Sequence, residues 1–284
     1  QLKKAGRSQA VVHLHTHSTC SDGTLTPTQL VQEARRLSIH ILALTDHDTI
    51  EGVAEARKEA ARGGVVLIPG IELEINFEPG VFHMLGLGFT AIDPDFSHSL
   101  SQLRARRTER NLKMVDKLRD IGIPADYEEI SREAGGTVVG RPHFARYLVS
   151  IGAVRDTREA FYRYLGDGKQ AYEPKPSLDV EEATALVHSA GGKAIIAHPM
   201  TLGLSIAEID ELLPDWKSQG IDGIEAYHSN ARWRECLKLE RLAVKHKLLP
   251  TAGSDYHGPF RTDRAMGHTS GGRLIEDRFA RPFL

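Results

Sequence analysis

Short apolar runs alternate with amphipathic stretches over the first ninety residues. Val11 to Leu14, Ile41 to Leu44, Val65 to Ile68, Glu72 to Phe77 and Phe82 to Leu87 read as strands. Between them, Leu30, Val31, Ala34 and Leu37 recur at helical spacing after Thr26-Pro27, a capping residue followed by proline at the first helical position. A second helix is expected from about Glu51 to Arg62, ended by Gly63-Gly64. The pattern changes between Asp93 and Tyr172, where helical spacing dominates and the longest helix runs from roughly Ser97 to Ile121. Alternation resumes near Pro176. Helices are expected at about Val180 to Ala190, Ala207 to Ser218 and Arg232 to His246, and strands at Ala194 to Ala197, Ile221 to Glu225 and Leu248 to Ala252. Repeated βα units favour a barrel or an open parallel sheet. The expected architecture is a discontinuous β/α barrel, residues 11–92 and 176–284, with a helical subdomain inserted at 93–175.

Composition narrows the chemistry. With 40% hydrophobic and 26% charged residues, the 284-residue chain is expected to be globular. No apolar run is long enough to span a membrane. The polar stretch Gln1 to Ala10 lacks the apolar core of a signal peptide and reads as a frayed end, so a cytoplasmic protein is expected. The net charge of -2 excludes a globally basic nucleic-acid coat. Two cysteines allow neither a disulfide framework nor a cysteine-rich zinc site, whereas 14 histidines point to nitrogen and oxygen ligands for any metal.

The candidate ligands recur where predicted strands end, the place where β/α barrels gather functional side chains. His15 and His17, two apart on extended chain, share a face. Asp22 sits in the turn-like Ser21-Asp22-Gly23. Thr45-Asp46-His47-Asp48 ends one strand, Glu72 follows Pro69-Gly70-Ile71, and His83 lies on the next strand. Ala197-His198-Pro199 and Gly253-Ser254-Asp255-Tyr256-His257 end two others. Taken singly each has an ordinary explanation: a helix cap at Asp48 or Thr49, an exposed strand position at Glu72, a core histidine at His83, turn residues at Asp255 and His257. Together they would make a costly buried cluster unless cations balance it.

These motifs, in this order from about residue 13 to 258, resemble the polymerase-and-histidinol-phosphatase (PHP) family of metal-dependent phosphoesterases. The resemblance implies a distorted seven-stranded β/α barrel holding two or three divalent ions. It implies nine ligands: His15, His17, Asp22, His47, Glu72, His83, His198, Asp255 and His257. Gly140-Arg141-Pro142-His143-Phe144-Ala145-Arg146 and Tyr164-Leu165-x-x-Gly168-Lys169 resemble the inserted domain of the subgroup that includes nucleotide 3',5'-bisphosphate phosphatases and 5'-to-3' exoribonucleases. Three positions depart from the family pattern: His13 stands where Asp is usual, Pro142 where a small hydroxyl residue is common, and Met200 where Gly is common.

Such ions polarise phosphoryl oxygens and make hydroxide available near neutral pH. Imidazole and carboxylate ligands suit Mn²⁺, Fe²⁺ or Zn²⁺, with Mn²⁺ the first choice. Glu72 and Asp255 are the expected bridging carboxylates, and Asp46 and Asp48 are expected to fix an imidazole or the backbone. The leaving oxygen needs a proton, from His143 or from a water on a metal, and the sequence leaves both open. Arg141, Lys169 and Arg107, with His143, are the candidates to hold substrate. Tyr227, His228 and Asn230 follow a strand and are weaker candidates for substrate contact. The leading expectation is removal of the 3'-phosphate of a nucleoside 3',5'-bisphosphate. Alternatives are a 5'-to-3' exonuclease on short 5'-phosphorylated oligonucleotides, motivated by the basic 104–119 helix, an amidohydrolase acting on C–N bonds, and a non-catalytic binding module. The implied partner is thus a small nucleotide or short oligonucleotide, with no membrane and no obligate protein partner.

Overall fold

The computed structural model describes residues 11–92, 94–134, 138–174 and 177–284. The N-terminal stretch read as frayed, and residues 93, 175 and 176 at the expected limits of the insertion, lie outside the described residues.

Seven strands form one sheet in sequence order: β1 (Val11–His13), β2 (Ile39–Leu44), β3 (Val66–Ile75), β4 (Phe82–Leu87), β5 (Lys193–Ile196), β6 (Gly223–Tyr227) and β7 (Leu249–Ala252). Beyond β1 and β7 the segments that follow these strands meet. Thr16 bridges Tyr256 in parallel, and His17 N–H donates to Tyr256 O at 2.8 Å. The sheet is mixed rather than wholly parallel, which corrects the simple βα expectation. β4 runs antiparallel to both β3 and β5. Residues 76–81, which join β3 to β4, are too few for the crossover helix that parallel strands require. The two strands expected at Val65 to Ile68 and Glu72 to Phe77 are one continuous β3.

Helices α1 (Pro27–Arg36) and α2 (Glu51–Ala60) cover the early strands. Thr26 caps α1 as expected: its hydroxyl accepts from Gln29 N, and the Gln29 side chain reaches back to Thr26 N. Between β4 and β5 lie α3 (Pro94–Asp120), α4 (Tyr127–Ala134), α5 (Arg141–Ser150), α6 (Thr157–Ala160) and a π-helical turn, Phe161–Leu165. The helices α7 (Val180–Ser189), α8 (Ile206–Ser218) and α9 (Trp233–His246) alternate with the later strands. Two cores meet along α3. Phe96, Leu100 and Leu103 pack with the sheet, whereas Met114, Val115 and Leu118 pack with Phe144, Leu148 and Leu165 of the helical segment. No helix among the described residues is long and apolar enough to cross a membrane.

This topology decides where the polar motifs go. β1, β2, β5, β6 and β7 all end at one edge of the sheet, and the reversed β4 begins there. That reversal puts His83, near the start of its strand, beside residues that follow the ends of the others.

Candidate metal centre

Glu72 is the hub. It lies within β3, is 1% exposed, and is joined in register to His47 by a parallel bridge. One carboxylate oxygen, Oε2, lies 3.3 Å from His15 Nε2, 3.0 Å from His17 Nε2 and 3.3 Å from His47 Nδ1. The other, Oε1, lies 2.9 Å from His83 Nδ1 and 3.0 Å from His198 Nε2. Asp255 Oδ1 adds a second carboxylate, 3.0 Å from His17 Nε2 and 3.4 Å from His15 Nε2. Asp22 Oδ1 completes the group, 3.2 Å from His257 Nε2 and 3.8 Å from His17 Nδ1. The nine side chains expected from the sequence therefore converge on one place.

The set fits divalent cations on two counts. His15 Nε2, His17 Nε2, Asp22 Oδ1, Glu72 Oε2 and Asp255 Oδ1 are buried and have no hydrogen-bond partner, although they face one another. Native interiors rarely leave such atoms unsatisfied. Their separations also match a coordination shell, since ligands held about 2.0–2.2 Å from one ion lie about 3.0–3.5 Å from each other. Ligand atoms of His15, His17, Glu72 and Asp255 form one cluster, those of His17, Asp22, His47 and His257 a second, and those of His47, Glu72 and His83 a third.

The imidazoles are aimed by what holds their far nitrogens. His15 Nδ1 donates to Glu225 Oε1 at 3.1 Å, His257 Nδ1 to Asp255 O at 2.8 Å, and His198 Nδ1 lies 2.8 Å from the Thr201 hydroxyl. In each ring held this way, Nε2 turns toward the carboxylates. The electrostatics follow from the crowding. Burial pushes the Glu72 carboxyl up, but His47, His15 and His83 more than offset it and hold it well below the usual range. Burial likewise raises Asp22, and His257 and His47 bring it far down. Burial depresses His15, yet Glu72 and Glu225 lift it to about 9. His198 and His257 stay below the ordinary value because burial outweighs their carboxylate partners. Two residues of the cluster, His198 (φ 26°) and Asp255 (φ 57°), adopt left-handed backbone at strand ends, as does Asp48 (φ 51°). Such conformations concentrate at functional sites.

Surrounding residues brace this centre. Asp46 accepts from Ser18 N at 2.7 Å, Ser18 Oγ at 2.6 Å and Ser21 Oγ at 2.6 Å, so it holds the loop that carries Asp22. Asp48 pairs with Arg107. His13 lies beneath the cluster, with Nε2 3.0 Å from His15 O and Nδ1 accepting from Gly267 N at 2.8 Å. Burial, and then the neighbouring His15, push His13 down to about 3, so it braces the backbone as a neutral ring.

A cleft of about 920 Å³ opens onto the cluster. Asp22, His47, Glu72, His83, His198, Asp255 and His257 line its floor, and its walls include Pro142, Ala145, Arg146 and Phe161 from the helical segment. The remaining wall carries Asn230, Phe260, Arg261 and Arg264. The cations here differ from those singled out in the sequence. Arg141 bonds Asp167 at 2.6 Å and lies over the Tyr172 ring, and the exposed Lys169 lies over Tyr162. Arg107 is buried against Asp48, and none of these three lines the cleft. His143 is buried behind Pro142. Its Nδ1 accepts from Gly140 N at 2.9 Å, which places the neutral ring's proton on Nε2, an atom with no partner. Burial and then Arg146 push His143 down to about 4. Met200 packs against the sheet core rather than lining the cleft, and Tyr227 bonds Glu240.

Sequence reasoning missed Glu225 and Arg264. Glu225 is an acid within an apolar strand, fully buried; burial raises it, but His15, His228 and His198 bring it to about 2. An acidic residue among Ile224 and Ala226 was the available signal. Arg264 pairs with the Asp255 carboxylate from a loop whose sequence carries no periodicity.

An α/β sheet that gathers imidazoles and shared carboxylates beneath an arginine-lined cleft defines a metal-dependent hydrolase. A PHP domain model matches residues 13–134. A 5'-3' exoribonuclease of Haemophilus influenzae is 40% identical over 246 residues, 87% of this chain and 89% of that protein. A 3',5'-nucleoside bisphosphate phosphatase of Chromobacterium violaceum is 36% identical over 261 residues, 92% of each. The solved structure of an amidohydrolase from Chromobacterium violaceum, with bound sulfate, superposes with a TM-score of 0.84 at 34% identity and covers 96% of each chain. The chain belongs to the PHP family of metal-dependent phosphoesterases.

Proposed function

We propose that this protein hydrolyses the 3'-phosphate of a nucleoside 3',5'-bisphosphate. The observation that carries the reading is that Arg146, Arg261 and Arg264 line the same cleft as the carboxylate–imidazole cluster. A substrate with two phosphates needs a reaction centre and, beside it, cations for the phosphate that is kept. The name of the Chromobacterium violaceum relative agrees with this substrate class. His15, His17, Asp22, His47, Glu72, His83, His198, Asp255 and His257 are the residues that would hold two or three ions, with the Glu72 and Asp255 carboxylates the candidates to serve more than one of them. Mn²⁺ is the first choice for an imidazole and carboxylate set. Divalent cations held there supply Lewis acidity to a phosphoryl oxygen and lower the pKa of water.

The chain's own groups do the rest. Arg264 and Arg261 neutralise phosphate charge on one wall and Arg146 on the other. Arg107, Arg141 and Lys169 stay candidates for the same task if the helical segment shifts on binding. His143, buried beside Pro142 with its Nε2–H unpartnered, stays a candidate donor to a substrate oxygen on the same condition. Metal-loaded protein is expected to release phosphate from adenosine 3',5'-bisphosphate and leave 5'-AMP. No release with Mn²⁺, Zn²⁺ or Fe²⁺ would sink the assignment.

The Haemophilus influenzae relative supports a second reading, stepwise 5'-to-3' cleavage of short oligonucleotides. The basic run of α3 no longer favours it. Arg104 pairs with Glu51, Lys113 with Glu109 and Lys117 with Glu173, outside the cleft. Oligonucleotide turnover that falls steeply with salt would favour this second reading. C–N bond cleavage is disfavoured by the three cleft arginines, which suit an anion. A panel of amide and phosphate substrates separates the two chemistries.

A further inference from the structure

We propose that the loop following β7 is the nucleobase-binding wall of the cleft, with Phe260 as its stacking surface; this rests on the nucleotide reading above. Phe260 is 84% exposed and lines the cleft. An apolar ring left in water beside a reaction centre is surface whose burial against a ligand is favourable. Local hydrogen bonds shape the loop that carries it. Arg261 N donates to Gly258 O at 3.3 Å and Arg264 N to Arg261 O at 3.1 Å. The Arg261 guanidinium also bonds both carboxylate oxygens of Asp263, at 3.1 and 3.0 Å, and Arg264 pairs with Asp255. The ring is therefore presented by a hydrogen-bonded turn.

The neighbours of Phe260 specify the occupant. One short segment offers an aromatic face and two guanidinium groups, which complements a flat π system tethered to phosphate. The helical segment brings the same combination to the cleft, with Phe161 at the start of the π-helical turn and Arg146 on α5. Stacking on a phenyl ring accepts any base, so this wall would favour nucleotides as a class over bare sugar phosphates without choosing among bases. Both substrate readings above leave a 5'-mononucleotide, so the inference holds for either.

The test is calorimetric binding of 5'-AMP and of ribose 5-phosphate to the Mn²⁺-loaded protein, wild type, Phe260→Ala and Phe260→Tyr, alongside phosphate release from adenosine 3',5'-bisphosphate. Wild type should bind 5'-AMP about tenfold or more tightly than ribose 5-phosphate. Phe260→Ala should abolish that preference by weakening 5'-AMP alone, and Phe260→Tyr should retain it. Equal affinities in the wild type, or an unchanged preference in Phe260→Ala, overturns the inference. Absence of phosphate release together with a base preference that Phe260→Ala removes would defeat the bisphosphatase assignment and leave the stacking wall standing.

Discussion

Glu225 accepts the Nδ1–H of His15 at 3.1 Å with one carboxylate oxygen, and with the other it accepts the backbone N–H of His198 at 2.7 Å. One buried carboxylate thus sets the ring of the first proposed ligand and the chain direction at another, across three strands of the sheet. Glu225→Gln preserves shape but turns an amide N–H₂ toward one of two donors. It is expected to weaken metal binding about 10–100-fold while leaving the fold intact. Chelator competition with Mn²⁺ or Zn²⁺ measures it. Unchanged affinity with an unchanged circular dichroism spectrum would show that Glu225 does not orient the centre.

Asp46 plays the corresponding part for the loop after β1. Its three short bonds to Ser18 and Ser21 fix the segment ahead of Asp22. Burial raises the Asp46 carboxyl, and His17 and the serine donors oppose that rise. Asp46→Ala leaves the buried Ser18 N–H without an acceptor, at about 1–3 kcal/mol. The variant should unfold at lower urea and bind metal more weakly. Equal midpoints for variant and wild type would mean that the loop is held by something else.

The two predictions touch residues of different legibility. Asp46 stood in a recognisable motif, Thr45-Asp46-His47-Asp48, and a bracing role was expected of it. Glu225 was lost inside a strand, because a buried acid explains itself only when its partners, 210 positions away in the case of His15, are seen beside it. The elements themselves were readable because apolar spacing is local, and α8 and α9 begin within one residue of expectation. Strand direction was legible only in the length of one connection. β4 resembles its neighbours in sequence, and only the six residues separating it from β3 force the reversal that brings His83 to the cluster. The arginines fared least well for a related reason. A guanidinium reaches far from its Cα, so helix α3 buries Arg107 and Arg110 while Arg261 and Arg264, in an aperiodic loop, reach the cleft.

Gly253 sits where β7 passes beneath this network. A Cβ there would lie 2.4 Å from the His15 Cβ and 2.6 Å from Glu225 Oε1, and neither neighbour has room to withdraw. Gly253→Ala should therefore cost about 1–3 kcal/mol from overpacking. It should also disturb the His15–Glu225 bond. Denaturant unfolding is the measurement, with a lowered midpoint and an unchanged slope expected. A neutral substitution would mean that β7 can shift away from β1 without loss.

Cation binding should appear as stability. Asp22, Glu72 and Asp255 bring three carboxylates into contact with the imidazoles, and several of their polar atoms have no other partner. An ion that binds only the folded protein at 100 times its dissociation constant adds about 2.7 kcal/mol, and a second site adds a similar amount. For a chain of this size each kcal/mol raises the melting temperature by about 2–4 °C. Protein stripped with EDTA and then loaded with Mn²⁺ should melt at least about 5 °C higher than the stripped form. His17→Ala, which removes a ring shared by two of the clusters, should lose most of that increment. The same melting curve with and without metal, together with no metal retained after desalting, would show that these side chains do not hold cations and that the family's chemistry has been lost from this chain.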